Sequence, residues 1–321
     1  MDSISELTVF FEKELGKIKY SKFPLSLYKP IDYIIGLGGK RIRPVLMLMS
    51  FQLFDDNFQK VINPAIAIEL FHNFTLIHDD IMDNAPLRRG KLTVQNKWNT
   101  NTAILSGDTM ALLSYQLISS IEKDIVHDVI NVFTSAAVNV CEGQQLDLDF
   151  ETQVDVSIAD YIKMIEYKTS VLLAASLKIG AIVGKANLND QFHLYEFGRN
   201  IGIAFQLKDD LLDVFGNQSS FGKQVGGDIV SNKKTYLYLK AIENANDQKR
   251  KELEEYYSSN IDDIDKVKNV KDIFVDLEIP LYTDRLINQY HNKAQEHLSK
   301  VSSEKKEPLM LLSEKLLNRD I

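Results

Sequence analysis

Two stretches of the sequence place three aspartates within five residues: Asp79-Asp80-Ile81-Met82-Asp83 and Asp209-Asp210-Leu211-Leu212-Asp213. On a helix, residues four apart share a face, so each stretch sets two carboxylates one turn apart. Such carboxylates repel by roughly 4 kcal/mol for a pair at about 4 Å in an effective dielectric of about 20. A divalent cation relieves that cost. All-oxygen donors favour Mg²⁺ or Mn²⁺, and Mg²⁺ joins one or two carboxylates to phosphate oxygens while keeping several waters. A single cluster is as readily an acidic helix end on the surface. Here both clusters continue apolar stripes of four-residue spacing, Phe71-Thr75-Asp79-Asp83 and Phe197-Ile201-Phe205-Asp209-Asp213, and the pair points to diphosphate chemistry.

Acids alone would repel a diphosphate, so basic partners are required. Gly38-Gly39-Lys40-Arg41-Ile42-Arg43-Pro44 combines a glycine turn with three cations at a helix start, a suitable phosphate cradle. Arg88-Arg89-Gly90 follows the first acidic cluster, Lys168-Thr169 opens an apolar helical stretch, and Lys223 and Lys233 flank Gly226-Gly227-Asp228. Each basic group alone is equally a solvated surface charge. His72 lies two turns before Asp79 on nearly the same helix face. His78 is read as structural. Gln144 and Asp147, three apart on a helix, either face a cavity or bridge two helices.

These residues need helices to hold them, and apolar positions recur at three- and four-residue spacing almost throughout, with few alternating runs. The spacing predicts an all-α protein. Boundaries are expected at Pro24, Pro30, Gly36 to Gly39, Pro64, Pro86 to Gly90, Asn99 to Asn101, Gly184 to Asn189 and Gly216 to Gly227. No interdomain linker or solenoid repeat is evident, so residues 1–321 are read as one domain. The charged stretch from Asn244 to Lys271 is expected to form solvated helices without chemistry.

Composition narrows the class. The 321 residues are 45% hydrophobic and 26% charged, the balance of a globular protein. Net charge is −8, which argues against nucleic acid as a partner. The one cysteine, Cys141, excludes an internal disulfide, fits a reducing compartment and is expected to be a small buried residue. The acidic N-terminus lacks a signal-peptide profile, and Val171 to Gly184 is too short to span a bilayer. A cytoplasmic location without a transmembrane segment is expected, with peripheral membrane contact left open.

Taken together, the glycine-basic segment, Asp79 to Asp83 with Arg88-Arg89-Gly90, Gly143-Gln144-Gln145-Leu146-Asp147, Lys168-Thr169, Phe205-Gln206-Leu207-Lys208 leading into Asp209 to Asp213, and Gly222-Lys223 through Lys233 resemble the trans-type prenyl diphosphate synthases, or polyprenyl synthetases. The motifs occur in that family's order over most of the chain. The resemblance implies the isoprenoid synthase fold, an orthogonal bundle of about ten or more helices around a central cavity, and a homodimer. It implies that Asp79, Asp80, Asp83, Asp209, Asp210 and Asp213 hold Mg²⁺ against an allylic diphosphate (dimethylallyl, geranyl or farnesyl). Arg88, Lys168, Lys223 and Lys233 would surround that diphosphate, with Thr169 and Gln206 near the reacting carbon. Lys40, Arg43, His72 and Arg89 would bind isopentenyl diphosphate.

The implied reaction is ionisation, condensation and elimination, which requires no nucleophilic side chain. By the same resemblance, residues before the first cluster set product length. Phe74 lies about 7.5 Å below Asp79 along the helix axis, with Thr75 beside it and Phe71 one turn deeper. Phe71 and Phe74 are also ordinary core aromatics. Thr75 in place of a second aromatic favours geranylgeranyl over farnesyl diphosphate. A class I terpene cyclase would mix Asn, Ser or Thr with Glu in its second cluster, and a noncatalytic partner subunit would have lost a cluster or its basic anchors. Leu277-Glu278-Ile279-Pro280 stands where the family has a glycine-containing turn.

Overall fold

A computed structural model describes residues 4–20, 22–216, 226–258 and 263–317. The architecture is all-α, as the periodicity predicts. Among the described residues the β structure is one hairpin, Leu87–Arg88 paired antiparallel with Lys91–Leu92. Among the described residues no helix is long and apolar enough to cross a membrane. The chain divides into two compact units, one of Met1–Thr134, Ala175–Phe192 and Ser302–Leu309, the other of Ser135–Ala174, His193–Val301 and Met310–Ile321.

In the first unit the Ile62–Met82 helix is apolar on nearly every side, burying Ala65, Ile66, Ile68, Leu70, Phe71 and Ile77. A helix hydrophobic all round belongs in a core. It packs along Thr100–Ile118 and against Ile42–Gln52 and Leu25–Gly36. Asn99 starts the Thr100–Ile118 helix by accepting from the Thr102 amide, an N-cap at the boundary expected between Asn99 and Asn101. Pro30 is a correction, because it lies inside Leu25–Gly36. Its missing N–H costs one helical bond, and burial of Pro30, Ile31 and Ile34 outweighs it.

In the second unit the end of the Leu188–Phe215 helix buries Ile203, Leu207 and Leu211 against Tyr161, Ile165, Leu237 and Phe274. Lys168 and Thr169 do not begin an α-helix; they lie in a π-helical segment, Glu166–Ser170, between Ile158–Ile165 and Val171–Val183. Such bulges redirect side chains and gather at functional sites. Gly143 explains how the neighbouring helix approaches it: a Cβ there would stand 2.2 Å from the Lys168 backbone nitrogen. Helices Asp247–Ser258 and Asp263–Asp276 occupy the charged stretch, yet Leu253, Lys266 and Val270 within them are buried. The turn before Ile279–Ser299 forms without glycine, with Glu278 itself at φ 55°. Cys141 is exposed, against expectation.

Candidate active site

The first acidic cluster ends its helix. Asp79 and Asp80 fall in the last turn of Ile62–Met82, and Asp83 is the C-cap. That end of the helix dipole is negative and normally attracts cations, not carboxylates. Asp80 is 1% exposed, and its Oδ1 accepts from Arg88 Nε at 2.7 Å and Nη2 at 2.6 Å. Arg88 Nη2 also lies 3.5 Å from Asp79 Oδ2. Asp80 Oδ2 is buried with no hydrogen-bond partner. Burial pushes the Asp80 carboxyl up, and Arg88 opposes that shift. The Leu87–Leu92 hairpin that carries Arg88 is tied down by Thr93 Oγ1 donating to the Ala85 carbonyl (2.9 Å) and Gln95 Nε2 donating to the Asp80 carbonyl (2.7 Å).

Beside this cluster, Gly39, Lys40, Arg43, His72 and Arg89, with Arg41, Ile42 and Glu69, line a cavity of about 410 Å³. Arg41 is occupied structurally: Nη1 donates to Glu69 (2.6 Å), Nε to Glu12 (2.8 Å) and Nη2 to the Ile35 carbonyl (2.9 Å). Arg43 differs. Its Nη1 lies 3.3 Å from His72 Nε2, while its Nε is buried without a partner. A guanidinium can only donate, so His72 Nε2 accepts and Nδ1 carries the proton. Burial and then Arg43, Arg89, Arg88 and Arg41 hold His72 well below the usual histidine range, leaving it neutral. Burial lowers Arg43 to about 10, so it stays charged near neutrality. Gly39, at φ 150°, leaves the space that Arg89 fills; a Cβ there would stand 2.7 Å from Arg89 Nη2. The cavity offers guanidinium donors and a positive excess, the chemistry that suits an anion.

Below Asp79, Phe71 and Phe74 stack obliquely at 5.3 Å, Phe71 meets Phe133 edge-on at 5.3 Å, and Phe74 meets His78 at 4.7 Å. Phe71 is 3% exposed and Phe74 half-buried. The Thr75 hydroxyl donates to the His72 carbonyl (2.8 Å). His78 Nε2 sits 3.3 Å from the Ile104 carbonyl, in keeping with its structural reading.

In the second unit, Asp209, Asp210 and Asp213 lie in the final turns of Leu188–Phe215, again at a negative helix end. Asp210 is 4% exposed; Tyr161 donates its hydroxyl to Oδ2 and Gln206 Nε2 donates to Oδ1 at 3.0 Å. Thr169 Oγ1 in turn donates to Gln206 Oε1 at 3.0 Å. Burial and then Asp228 push the Asp210 carboxyl up to about 8. Lys168 Nζ donates to Asp147 Oδ2 at 2.6 Å. Asp147, Lys168, Thr169, Gln206, Asp210 and Lys233 share the lining of one pocket. The Asp213 carboxylate accepts from the Asp228 amide at 3.0 Å.

Within each unit, then, the expected residues come together, except Lys223, which lies outside the described residues. Tyr161 and Lys234, whose Nζ reaches the Phe150 (3.0 Å) and Gln153 carbonyls, were not singled out in the sequence. Tyr161 had no signal, being 49 residues from Asp210. Among the described residues no group of three or more His, Cys, Asp or Glu side chains is arranged to hold a metal ion. The donor chemistry nevertheless fits Mg²⁺: carboxylates crowd two negative helix ends, Asp80 Oδ2 lacks a partner, and Mg²⁺ takes few protein ligands beside water and phosphate.

Known proteins resemble this chain over most of its length. A family model described as polyprenyl synthetase matches residues 24–274. The geranylgeranyl diphosphate synthase of Methanosarcina mazei is 42% identical over 222 residues, 68% of each chain. The short chain isoprenyl diphosphate synthase of Methanothermobacter thermautotrophicus is 35% identical over 299 residues, 92% of this chain and 91% of its own. A crystal structure of a geranylgeranyl pyrophosphate synthase matches with a TM-score of 0.95 at 44% identity, covering 100% of both chains.

Proposed function

The chain belongs to the polyprenyl synthetase family, and on that premise we propose that it condenses isopentenyl diphosphate with an allylic diphosphate, with geranylgeranyl diphosphate as product. It is a short-chain prenyltransferase, and isoprenoid diphosphates are its substrates. The observation that carries the two-substrate reading is the basic cavity around Arg43. A cyclase handles one diphosphate, whereas this cavity supplies a second set of donors with no carboxylate free to oppose them: its one acid, Glu69, is bound by Arg41.

In the proposed reaction, Lys40, Arg43 and Arg89 bind the diphosphate of isopentenyl diphosphate, and His72, neutral, offers Nδ1–H. The unpartnered Arg43 Nε supplies a donor already desolvated, so little reorganisation accompanies binding. Asp79, Asp80, Asp83, Asp209, Asp210 and Asp213 are the residues that would hold Mg²⁺. When bound, the metal neutralises diphosphate charge and makes it a better leaving group. Arg88, Lys168 and Lys233 add positive charge for the departing diphosphate, so the allylic carbon–oxygen bond breaks to a delocalised cation. Gln206 and Thr169 present uncharged dipoles that tolerate the cation without capturing it. The isopentenyl double bond attacks, and a proton leaves to the released diphosphate. Phe74, with Phe71 behind it, would limit the chain. The proposal includes action as a homodimer.

The test is incubation with isopentenyl diphosphate and dimethylallyl, geranyl or farnesyl diphosphate in turn, with Mg²⁺ or with chelator, followed by chain-length analysis. Metal-dependent accumulation of the C20 product is expected. Turnover indifferent to chelator would overturn the metal roles, and no elongation from any starter would overturn the function.

A further inference from the structure

The charged stretch that seemed purely solvated contains Lys266, which is 2% exposed. A buried ammonium is costly unless oxygens meet it. Its Nζ lies 2.5 Å from Asn232 Oδ1 and 3.5 Å from the Val230 carbonyl, with the Tyr257 ring 5.7 Å away. Asn232 is exposed and sits at φ 56°, ending the short Gly227–Val230 helix; its amide donates to the Ile229 carbonyl at 3.1 Å.

This turn joins two residues of the candidate site. At its start, the Gly226 amide donates to the Asp213 carbonyl (2.7 Å) and the Asp228 amide to the Asp213 carboxylate (3.0 Å). At its end, the Lys233 amide donates to the Asp228 carbonyl (2.9 Å). The Asp263–Asp276 helix grips both ends with adjacent residues. Val267 abuts Gly226, where a Cβ would stand 2.6 Å from Val267 Cγ1, and Lys266 holds Asn232. After glycine, asparagine is the residue that most readily takes a left-handed φ, so Asn232 closes the turn ahead of Lys233, and the buried ammonium fixes its side chain.

We propose that Lys266 is a positioning residue: by clamping Asn232 from a neighbouring helix it fixes the backbone from which Lys233 reaches the allylic diphosphate. The inference rests on the assignment of Lys233 above. Lys266 itself does not touch substrate.

The experiment compares full-length Lys266→Met, Asn232→Gly, the double variant and Lys233→Met by steady-state kinetics with each substrate varied in turn, and by thermal melting. Glycine keeps the positive φ available while removing the amide that Lys266 holds. Lys266→Met and Asn232→Gly should each raise KM for the allylic diphosphate about fivefold or more and leave that for isopentenyl diphosphate within about twofold. The double variant should be no worse than the worse single variant, as expected for two residues acting through one contact. Should Lys266→Met fail to fold, Asn232→Gly, on the exposed side of the contact, decides alone. A lowered melting temperature with allylic KM unchanged would reduce Lys266 to a structural role and overturn the proposal. Wild-type allylic KM in Lys233→Met would instead refute the assignment of Lys233, and the proposal would fall with it.

Discussion

Arg88 holds Asp80 by a single oxygen: Nε and Nη2 both converge on Oδ1, at 2.7 and 2.6 Å, and Oδ2 is left buried and unpartnered. The arrangement restrains the carboxylate while keeping one oxygen available for a cation. It also makes each partner a liability without the other.

Replacing Arg88 by Met strands a buried carboxylate. The expected loss is about 2–3 kcal/mol of stability, less than for a fully buried pair because Arg88 is 25% exposed. Adding Asp80→Asn should recover most of it. Denaturant unfolding of the two single variants and the double variant measures this, and strictly additive losses would mean that the contact contributes nothing.

Asp210 predicts a pH dependence. Its carboxyl is pushed up to about 8, first by burial and then by Asp228, whereas an unfolded aspartate titrates near about 3.9. The folded protein therefore retains a proton that the unfolded chain releases between these values. The resulting stabilisation is complete below about pH 4 and is lost as pH rises to about 8. Metal-free protein should melt lower at pH 8 than at pH 6, and Asp210→Asn should flatten that decline. An equally steep decline in the variant would contradict the assignment.

Phe74→Ala should lengthen the products, since Phe74 is half-buried and sits a turn above Phe71. Phe71→Ala should instead cost about 3–5 kcal/mol, because Phe71 is fully enclosed against Phe133. Product analysis and melting curves of both variants separate the roles. Unchanged products from Phe74→Ala would move the length limit elsewhere.

Gly143→Ala should destabilise the second unit by about 1–3 kcal/mol and depress turnover. The obstacle is the Lys168 backbone at 2.2 Å, which no rotamer change can relieve, and displacing it moves Lys168 and Thr169. Wild-type melting and kinetics would show that the helices can part freely.

The helices, the acidic clusters and most basic partners were legible because each is local: apolar period, carboxylate spacing, a glycine next to a cation. What the sequence did not disclose depends on contacts between distant segments. Arg41 and Arg43 look equivalent in sequence, yet Arg41, at φ 48°, is bound by Glu69, Glu12 and the Ile35 carbonyl, while Arg43 keeps a buried Nε without a partner. Tyr161 and Lys266 acquire meaning from partners 49 and 34 residues away. Pro30 was misread because a local penalty was weighed without the burial that outweighs it. Lys168 and Thr169 needed the π-helical turn, which has no compositional mark.

The central claim is that the cavity around Arg43 takes its own diphosphate, without help from the acidic clusters. Calorimetric titration of isopentenyl diphosphate into metal-free protein, in the presence of chelator, tests it directly. The account predicts saturable binding that Arg43→Met weakens at least about tenfold, since a desolvated charged donor is lost. Isopentenyl diphosphate that binds only when a divalent metal is supplied, or equally well to Arg43→Met, would contradict it.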